Sequence, residues 1–224
     1  MEFKDVIYTR RSVRSFEDRQ IEQSKLDLLN NLIAECNREG NLHLQLCPDA
    51  GDTFGKLLHK AMGLASAPSV IVCVGPDDET LDERVGYYGE KVVLLAQSLG
   101  LNSCWVGMYN KKPGGTPAEV AAGERISIVI ALGYGKVQGK EHKSKTPDQV
   151  ITPKGAKPYW FNYGVEMALL APTAMNQQKF EIKLCDDNSV EIIDKGGPFS
   201  AVDKGIVKYH FEVGARYIRE TGAN

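Results

Sequence analysis

Two unbroken apolar runs, at residues 70–74 and 126–132, most constrain what this chain can fold into. Both consist mainly of valine and isoleucine; the first follows Pro68 and Ser69, and the second ends at Gly133. Continuous β-branched runs of this length are typical of strands that are covered on both faces. We therefore predict a central sheet packed between helices, and 42% hydrophobic residues are enough to bury a substantial core.

Helical and alternating patterns predict the other elements around this sheet. The longest helical signal covers residues 81–99, is apolar over much of its circumference and stops at Gly100, a good C-terminal cap. Further helices are predicted at 2–10, 20–34 (with Ser24 as cap), 54–62, 119–123, 160–170 and 203–219. Strands are predicted at 42–46, 180–184 and 189–194, the last two as an antiparallel hairpin. Together these elements predict an α+β fold.

Charge and cysteine usage argue against several classes of protein. The 224 residues carry a net charge of −2, so the basic face of a nucleic-acid-binding protein is not expected. The five scattered cysteines lack a CxxC pair, and none of the four histidines pairs with another at metal-ligand spacing. The polar N-terminus is unlike a signal peptide, and no apolar stretch approaches the roughly 18 residues of a membrane span. We expect a cytoplasmic protein that does not bind membranes.

A cluster of arginines and hydroxyls near the N-terminus is the strongest functional signal. Arg10, Arg11 and Arg14 stand beside Ser12 and Ser15, ahead of a predicted helix. Guanidinium groups bind phosphate through paired, charge-assisted hydrogen bonds. The segment is therefore either a site for one phosphorylated ligand or a solvated charge run at a helix end.

Three other stretches could complete a ligand site, although each has an ordinary structural explanation. The loop at 171–178 offers hydroxyl and carboxamide groups suited to a flat polar heterocycle, or is a common turn. The polar loop at 135–157 carries lysines that either bind a phosphate or are simply solvated. Near Gly107, main-chain N–H groups could bind a cofactor edge, while Trp105 could equally be a core residue.

The motifs that the chain lacks also bear on its chemistry. It contains no GxSxG, no P-loop and no GxGxxG after a strand, and no nucleophile, base and orienting residue can be assembled. A phosphate-binding segment without catalytic side chains indicates that a cofactor carries the chemistry.

Five segments resemble the FMN-dependent nitroreductase superfamily. Residues 10–16, RRSVRSF, resemble the opening RRSxRxF motif, and residues 89–107 are similar to the central helix and the segment after it. Residues 130–135 resemble the late strand, and the basic residues at 143–145 resemble the phosphate contact that follows it. Residues 171–178, APTAMNQQ, resemble the APSxxNxQPW loop, which in ordinary members precedes the central helix.

The late position of this loop resembles a subfamily in which one chain holds two fused half-domains. The resemblance implies a nitroreductase-like, mostly antiparallel central sheet flanked by helices, as a pseudo-dimer within one chain. The first half, 1–155, would carry the FMN phosphate motif, and the second half, 156–224, would complete the site. Since only one arginine motif exists, it implies one FMN per chain, in a monomer or a weak homo-oligomer.

The resemblance also implies an activity and a set of cofactor contacts. The chain would be an NAD(P)H oxidoreductase that reduces small electron-poor aromatics or quinones through flavin N5, with no catalytic side chain. The alternatives are a non-catalytic flavin-binding module and a binder of another phosphorylated ligand. The residues implied to bind FMN are Arg10, Arg11, Ser12, Arg14, Val106, Gly107, Lys143, Lys145, Thr173, Asn176 and Gln178.

Overall fold

Helices and antiparallel strands follow one another in the computed structural model, which describes residues 3–55, 64 and 67–222. The predicted α+β fold is confirmed. The chain divides into two compact units, each built from separate stretches of sequence. The sheet unit comprises 10–81 and 92–141; the helical unit comprises 1–9, 82–91 and 142–224. The predicted halves, 1–155 and 156–224, and the pseudo-dimer relation between them stay predictions.

The sheet unit contains both apolar runs, at residues 70–74 and 126–132. Its strands are β1 (His43–Cys47), β2 (Ser69–Pro76), β3 (Asn102–Val106) and β4 (Glu124–Gly133), in the order β1-β2-β4-β3. Neighbouring strands are antiparallel. The predicted runs form β2 and β4, which pair at the centre of the sheet. Both strands are buried on both faces over most of this pairing. Helix α2 (Gln23–Gly40) packs on β1.

The helical unit is built around two long helices. Helix α4 (Tyr159–Leu169) packs along α5 (Ser200–Thr221), and α1 (Phe3–Thr9) also contacts α5. A small sheet in the order β5-β6-β7 combines β5 (Ile151–Thr152) with the hairpin β6 (Phe180–Leu184) and β7 (Val190–Asp194). The hairpin is antiparallel, as predicted.

The first half of helix α3 (Leu81–Ser98) belongs to the helical unit, where it crosses α5 at two glycines. A Cβ atom on Gly86 would lie 2.1 Å from the Val202 carbonyl oxygen, and one on Gly205 would lie 2.0 Å from the Glu83 carbonyl oxygen. Such distances are far inside van der Waals contact, so only glycine permits this approach of the two backbones. Gly86 and Gly205 each lie near the start of a long helix, and a lysine lies nearby in both stretches of sequence.

A buried polar pair lies farther along the same two helices. His210 Nε2 of α5 is 2.8 Å from Glu90 Oε1 of α3, and both side chains are fully buried. His210 Nδ1 is 3.1 Å from the Met167 carbonyl oxygen, so this nitrogen carries a proton and donates it. The pair and the Met167 carbonyl thus join α3, α4 and α5 through hydrogen bonds.

Three local expectations differ from the structure or fall outside it. Ser24 is not the cap of α2, because the helix begins at Gln23 with Glu22 in the extended cap position. Residues 119–123 are not helical; they form a loop and turn before β4. The predicted helix at 54–62 lies mostly outside the described residues. Among the described residues, no helix combines the length and the apolar character needed to cross a membrane.

Candidate functional site

The arginine segment lies in the sheet unit, between α1 and α2, and is fixed by its main chain. Ser12 forms a parallel bridge with Ser103 of β3, and the Val13 N–H donates to the Ser103 carbonyl at 3.0 Å. Farther on, the Glu17 N–H donates to the Tyr134 carbonyl at 2.7 Å. The segment therefore adds to the edge of β3 that does not pair with β4.

Buried and more exposed side chains alternate along this segment, and its apolar residues anchor it to the core. Val13 and Phe16 are buried in the core cluster of the sheet unit, which leaves the residues between them nearer the surface. Arg10 is almost completely buried, whereas Arg14 is exposed. Arg11 is half-buried, and its Nη2 lies 3.7 Å from Glu141 Oε2.

The charge of two arginines reaches the strand on which the segment rests. Burial raises the pKa of the Cys104 thiol in β3, and the positive charges of Arg14 and Arg10 partly offset that rise. Both guanidinium groups thus contribute positive potential at the same buried thiol.

Asn102, to which sequence reasoning gave no role, fixes the loop after β4 near this segment. Its side chain is buried, its Oδ1 accepts the Gly135 N–H at 2.9 Å, and its Nδ2 donates to Gln138 Oε1 at 3.0 Å. A Cβ on Gly135 would lie 2.8 Å from both Asn102 Oδ1 and Val13 Cγ1. No sequence signal separates Asn102 from an ordinary asparagine after a helix end.

The end of β3 supplies the other two predicted residues of the sheet unit. Val106 is completely buried in the core cluster, so its side chain packs inside the unit. Gly107 follows the last residue of the strand and is partly exposed, and Met108 after it is exposed. Of this pair, only Gly107 has surface at which a main-chain group could meet a ligand.

The five predicted residues of the helical unit form one hydrogen-bonded network. Gln178 is central: its Oε1 accepts the Lys145 N–H at 2.9 Å, and its carbonyl accepts Lys145 Nζ at 2.6 Å. Its own N–H donates to Thr173 Oγ1 at 3.1 Å, and its Nε2 donates to Asn176 Oδ1 at 2.8 Å. The Lys143 carbonyl accepts the side-chain amides of Asn176 and Gln178, both at 2.9 Å. The lysine loop and the amide loop are therefore joined.

The amide loop holds three residues in the left-handed backbone region. The φ angles are 52° at Met175, 53° at Asn176 and 45° at Gln178. A left-handed conformation costs a residue other than glycine roughly 1–2 kcal/mol, with asparagine the more tolerant type. Strain of this kind persists only where surrounding contacts fix it, and it clusters at ligand-binding and active sites.

Asp203, another residue that sequence reasoning did not assign, supplies such contacts from α5. Its carboxylate oxygens accept the Ala174 N–H at 2.9 and 3.1 Å, and Oδ2 also accepts Gln177 Nε2 at 3.0 Å. Burial raises the pKa of Asp203 to about 6, although the hydrogen bonds from Gln177 and Ala174 favour its ionised form. Asp203 therefore holds the strained turn onto the start of α5.

The eleven predicted residues thus form two groups, one in each unit. The sheet unit carries six of them: Arg10, Arg11, Ser12, Arg14, Val106 and Gly107. The helical unit carries five, all within the network around Gln178: Lys143, Lys145, Thr173, Asn176 and Gln178.

Comparison with known proteins decides the family. The family model described as "Putative TM nitroreductase" matches residues 2–215. The chain belongs to this nitroreductase family. A "putative nitroreductase" of Thermotoga maritima has a similar fold over 98% of this chain and 86% of that chain, with a TM-score of 0.72 and 23% identity. The predicted relationship to nitroreductases is confirmed.

Two further relatives of the nitroreductase-family protein match shorter stretches. A "Putative NADH dehydrogenase/NAD(P)H nitroreductase" of Archaeoglobus fulgidus is 26% identical over 151 residues, which are 58% of this chain and 84% of the relative. A structure with the same description from Parabacteroides distasonis covers 68% of this chain and 98% of its own, with a TM-score of 0.53 and 20% identity. Family membership makes the protein a nitroreductase-like oxidoreductase.

Proposed function

We propose that the protein is an FMN-dependent NAD(P)H oxidoreductase that reduces small electron-poor aromatic compounds or quinones. The observation that carries this proposal is the RRSVRSF segment, anchored by Val13 and Phe16 and joined to β3. It resembles the phosphate-binding motif of the nitroreductase superfamily, and its main chain is attached to the sheet. The archaeal relative named as an NAD(P)H nitroreductase supports the nicotinamide donor.

The residues present fit FMN in their chemistry. Arg10 and Arg14 already produce positive potential at Cys104, and Ser12 adds a hydroxyl donor, so this segment suits a phosphate monoester. Lys143 and Lys145 of the helical unit, the latter held by Gln178, would add cations for the phosphate. Exposed arginine charges are screened by water, so several contacts are needed for tight binding.

The amide loop fits the polar part of the cofactor. Asn176 and Gln178 use part of their hydrogen-bonding capacity within the loop, which fixes the orientation of both amides before a ligand binds. Prior orientation reduces the entropy that binding would otherwise cost. Thr173 and the exposed Asn176 would then bind the ribityl chain or ring, and the Gly107 main chain would meet the ring. Gln178, which was also predicted to bind FMN, is buried and donates both amide hydrogens within the network, so it would position Asn176 instead.

Bound FMN would supply hydride acceptance from NAD(P)H and electron donation to the acceptor. The protein's own residues would bind the phosphate, orient the ring and stabilise negative charge on it. None of the proposed contacts is a general acid or base, so the proposal assigns no catalytic side chain. The predicted cytoplasmic location and the monomeric or weakly associated state stay predictions.

A comparison of FMN with riboflavin tests the proposal, because riboflavin lacks only the phosphate. Flavin fluorescence quenching is measured as the purified full-length protein is added to each compound. We expect FMN to bind at least about tenfold more tightly, the effect of one good charge-assisted contact. Absence of FMN binding, or equal affinity for both compounds, would overturn the proposed phosphate site.

A further inference from the structure

A groove on the surface of the helical unit is lined by none of the residues proposed to bind FMN. Its volume is about 470 Å³, and it is lined by α5, by the first residues of β7 with the turn before them, and by Trp160 of α4. Pockets for small ligands commonly measure about 300–1,000 Å³. The groove therefore has room for a ligand of one or two rings.

Aromatic and aliphatic side chains supply the apolar lining. Trp160 and Phe211 meet edge to face, with ring centroids 6.4 Å apart, and Val190 and Ile192 of β7 also line the groove. The Arg219 guanidinium carbon lies 3.7 Å from the centroid of the Trp160 ring, so this arginine is stacked on the aromatic lining. A planar ring has partners here for stacking and for apolar contact.

Cations form the α5 side of the groove. Lys208, Arg216 and Arg219 all line it, and within the part of the chain that the structure describes none of them forms a salt bridge. Of the two acidic residues that line the groove, Glu212 accepts the Tyr87 hydroxyl at 2.5 Å and Glu220 is exposed. The formal charge of these five groups is +1, and two guanidinium groups stand beside an apolar lining.

We propose that this groove is a second ligand site, which binds a small planar aromatic carboxylate. The ring would lie against Trp160 and Phe211, and the carboxylate would bind Arg216 and Arg219. An apolar lining beside arginines that form no salt bridge favours a ligand with both a ring and an anionic group, since the ring would contact the aromatic side chains and the anion would bind the guanidinium groups. The proposal is independent of the proposed function, because no groove residue belongs to the proposed FMN site.

Calorimetric titration of the full-length protein with 1-naphthoate tests this site. The uncharged analogue 1-naphthalenemethanol and inorganic phosphate separate the contributions of ring and charge. We expect millimolar or tighter binding of naphthoate, and binding of each analogue at least about tenfold weaker. No heat of binding with naphthoate, or equal affinity for the uncharged analogue, would overturn the proposal.

Variants distinguish this groove from the arginine segment. The double variant Arg216→Gln/Arg219→Gln should weaken naphthoate binding at least about tenfold and leave FMN binding unchanged. Arg38→Gln, the same change at an exposed position of α2, is the matched control and should alter neither. Arg14→Gln should weaken FMN binding and spare naphthoate. Naphthoate binding that is lost with Arg14→Gln, or kept in the double variant, would contradict the site.

Discussion

Arg14 is the residue at which the phosphate proposal can be tested with least disturbance of the fold. It is exposed, while its neighbours Val13 and Phe16 anchor the segment, so its removal leaves the packing intact. Loss of a hydrogen bond to a charged group costs about 1.5–3 kcal/mol. We therefore expect Arg14→Gln to weaken FMN binding roughly tenfold to a hundredfold and to leave riboflavin binding unchanged, as measured by flavin fluorescence quenching.

Arg38→Gln is the control for that experiment, since it removes the same charge from an exposed position on α2. It should leave both affinities unchanged. Equal losses for FMN and riboflavin in the Arg14 variant would mean that this side chain does not bind the phosphate.

Asp203 should make the folded protein more stable at low pH than at neutral pH, the opposite of the usual effect of a carboxylate. Its pKa is raised from 3.8 to about 6 mainly by burial, so the folded protein keeps this proton to higher pH than the unfolded chain does. Its contribution is therefore fully present below about pH 4 and is lost as the pH rises through about 6. A shift of two units corresponds to about 3 kcal/mol.

The measurement compares the free energy of urea unfolding of the wild type and of Asp203→Asn at about pH 4 and about pH 7. The wild type should lose stability relative to the variant as the pH rises, because the variant has no proton to lose there. A difference that stays constant, or that grows in favour of the wild type, would show that Asp203 is ionised in the folded protein at low pH.

Two helix backbones touch at Gly86 and Gly205, and this contact sets the packing of α3 on α5 within the helical unit. Since an added Cβ on Gly205 would meet the Glu83 carbonyl oxygen at 2.0 Å and the Tyr87 nitrogen at 2.6 Å, one helix must move. Overpacking typically costs 1–3 kcal/mol, and backbone atoms give way less easily than side chains. We expect Gly205→Ala to lower the free energy of urea unfolding by about 3 kcal/mol.

A substitution elsewhere on α5 separates this clash from a general effect of changing the helix. Arg216 is exposed, so Arg216→Ala should change stability by no more than about 0.5 kcal/mol. If Gly205→Ala were as well tolerated as Arg216→Ala, the close approach of the two backbones would be refuted.

Periodicity predicted most of the elements because burial, which creates the pattern, also decides the fold. The apolar runs form β2 and β4. The stripe predicted at 81–99 forms α3, which ends at Ser98, one residue before Leu99. The error at 119–123 has the opposite cause: all five residues of this short segment are exposed, so packing does not stabilise a helix there and turn geometry decides its conformation. The cap of α2 was misplaced because Ser24 can stand in a first turn without capping it.

At the scale of the whole molecule, the helical unit depends on stretches that are far apart in the sequence. Residues 142–224 contribute α4, α5 and the small sheet, but α1 and the Gly86 crossing come from 3–9 and 82–91. We expect the isolated fragment 142–224 to lack a cooperative thermal transition, because the apolar face of α5 and the buried His210 lose their partners. Near-UV circular dichroism during heating measures this, with the full-length chain as control.

A cooperative melt of that fragment, with native-like near-UV signal, would show that residues 142–224 fold without the other two stretches. Because each unit is built from separate stretches of sequence, the division into these two units was not predicted. Sequence patterns report local periodicity, whereas 82–91 and 142–224 are joined by contacts between residues far apart in the sequence, among them the glycine contact and the Glu90–His210 pair.

The candidate site was predictable to the extent that its residues form motifs. The arginine segment and the amide loop were found because they resemble segments of a known family. Asn102 and Asp203 were missed because each acts by fixing another loop, through hydrogen bonds that only the folded chain brings together. Their residue types are common at helix ends, so nothing in the sequence distinguishes them.

An absorbance spectrum of the purified protein, loaded with FMN and then titrated with NADH or NADPH without oxygen, tests the proposed flavin chemistry most simply. We expect protein-bound flavin bands that are bleached by a stoichiometric amount of at least one of the two nucleotides. A protein that takes up no FMN would contradict the binding site, and bound flavin that neither nucleotide bleaches would contradict the oxidoreductase activity and indicate a flavin-binding module.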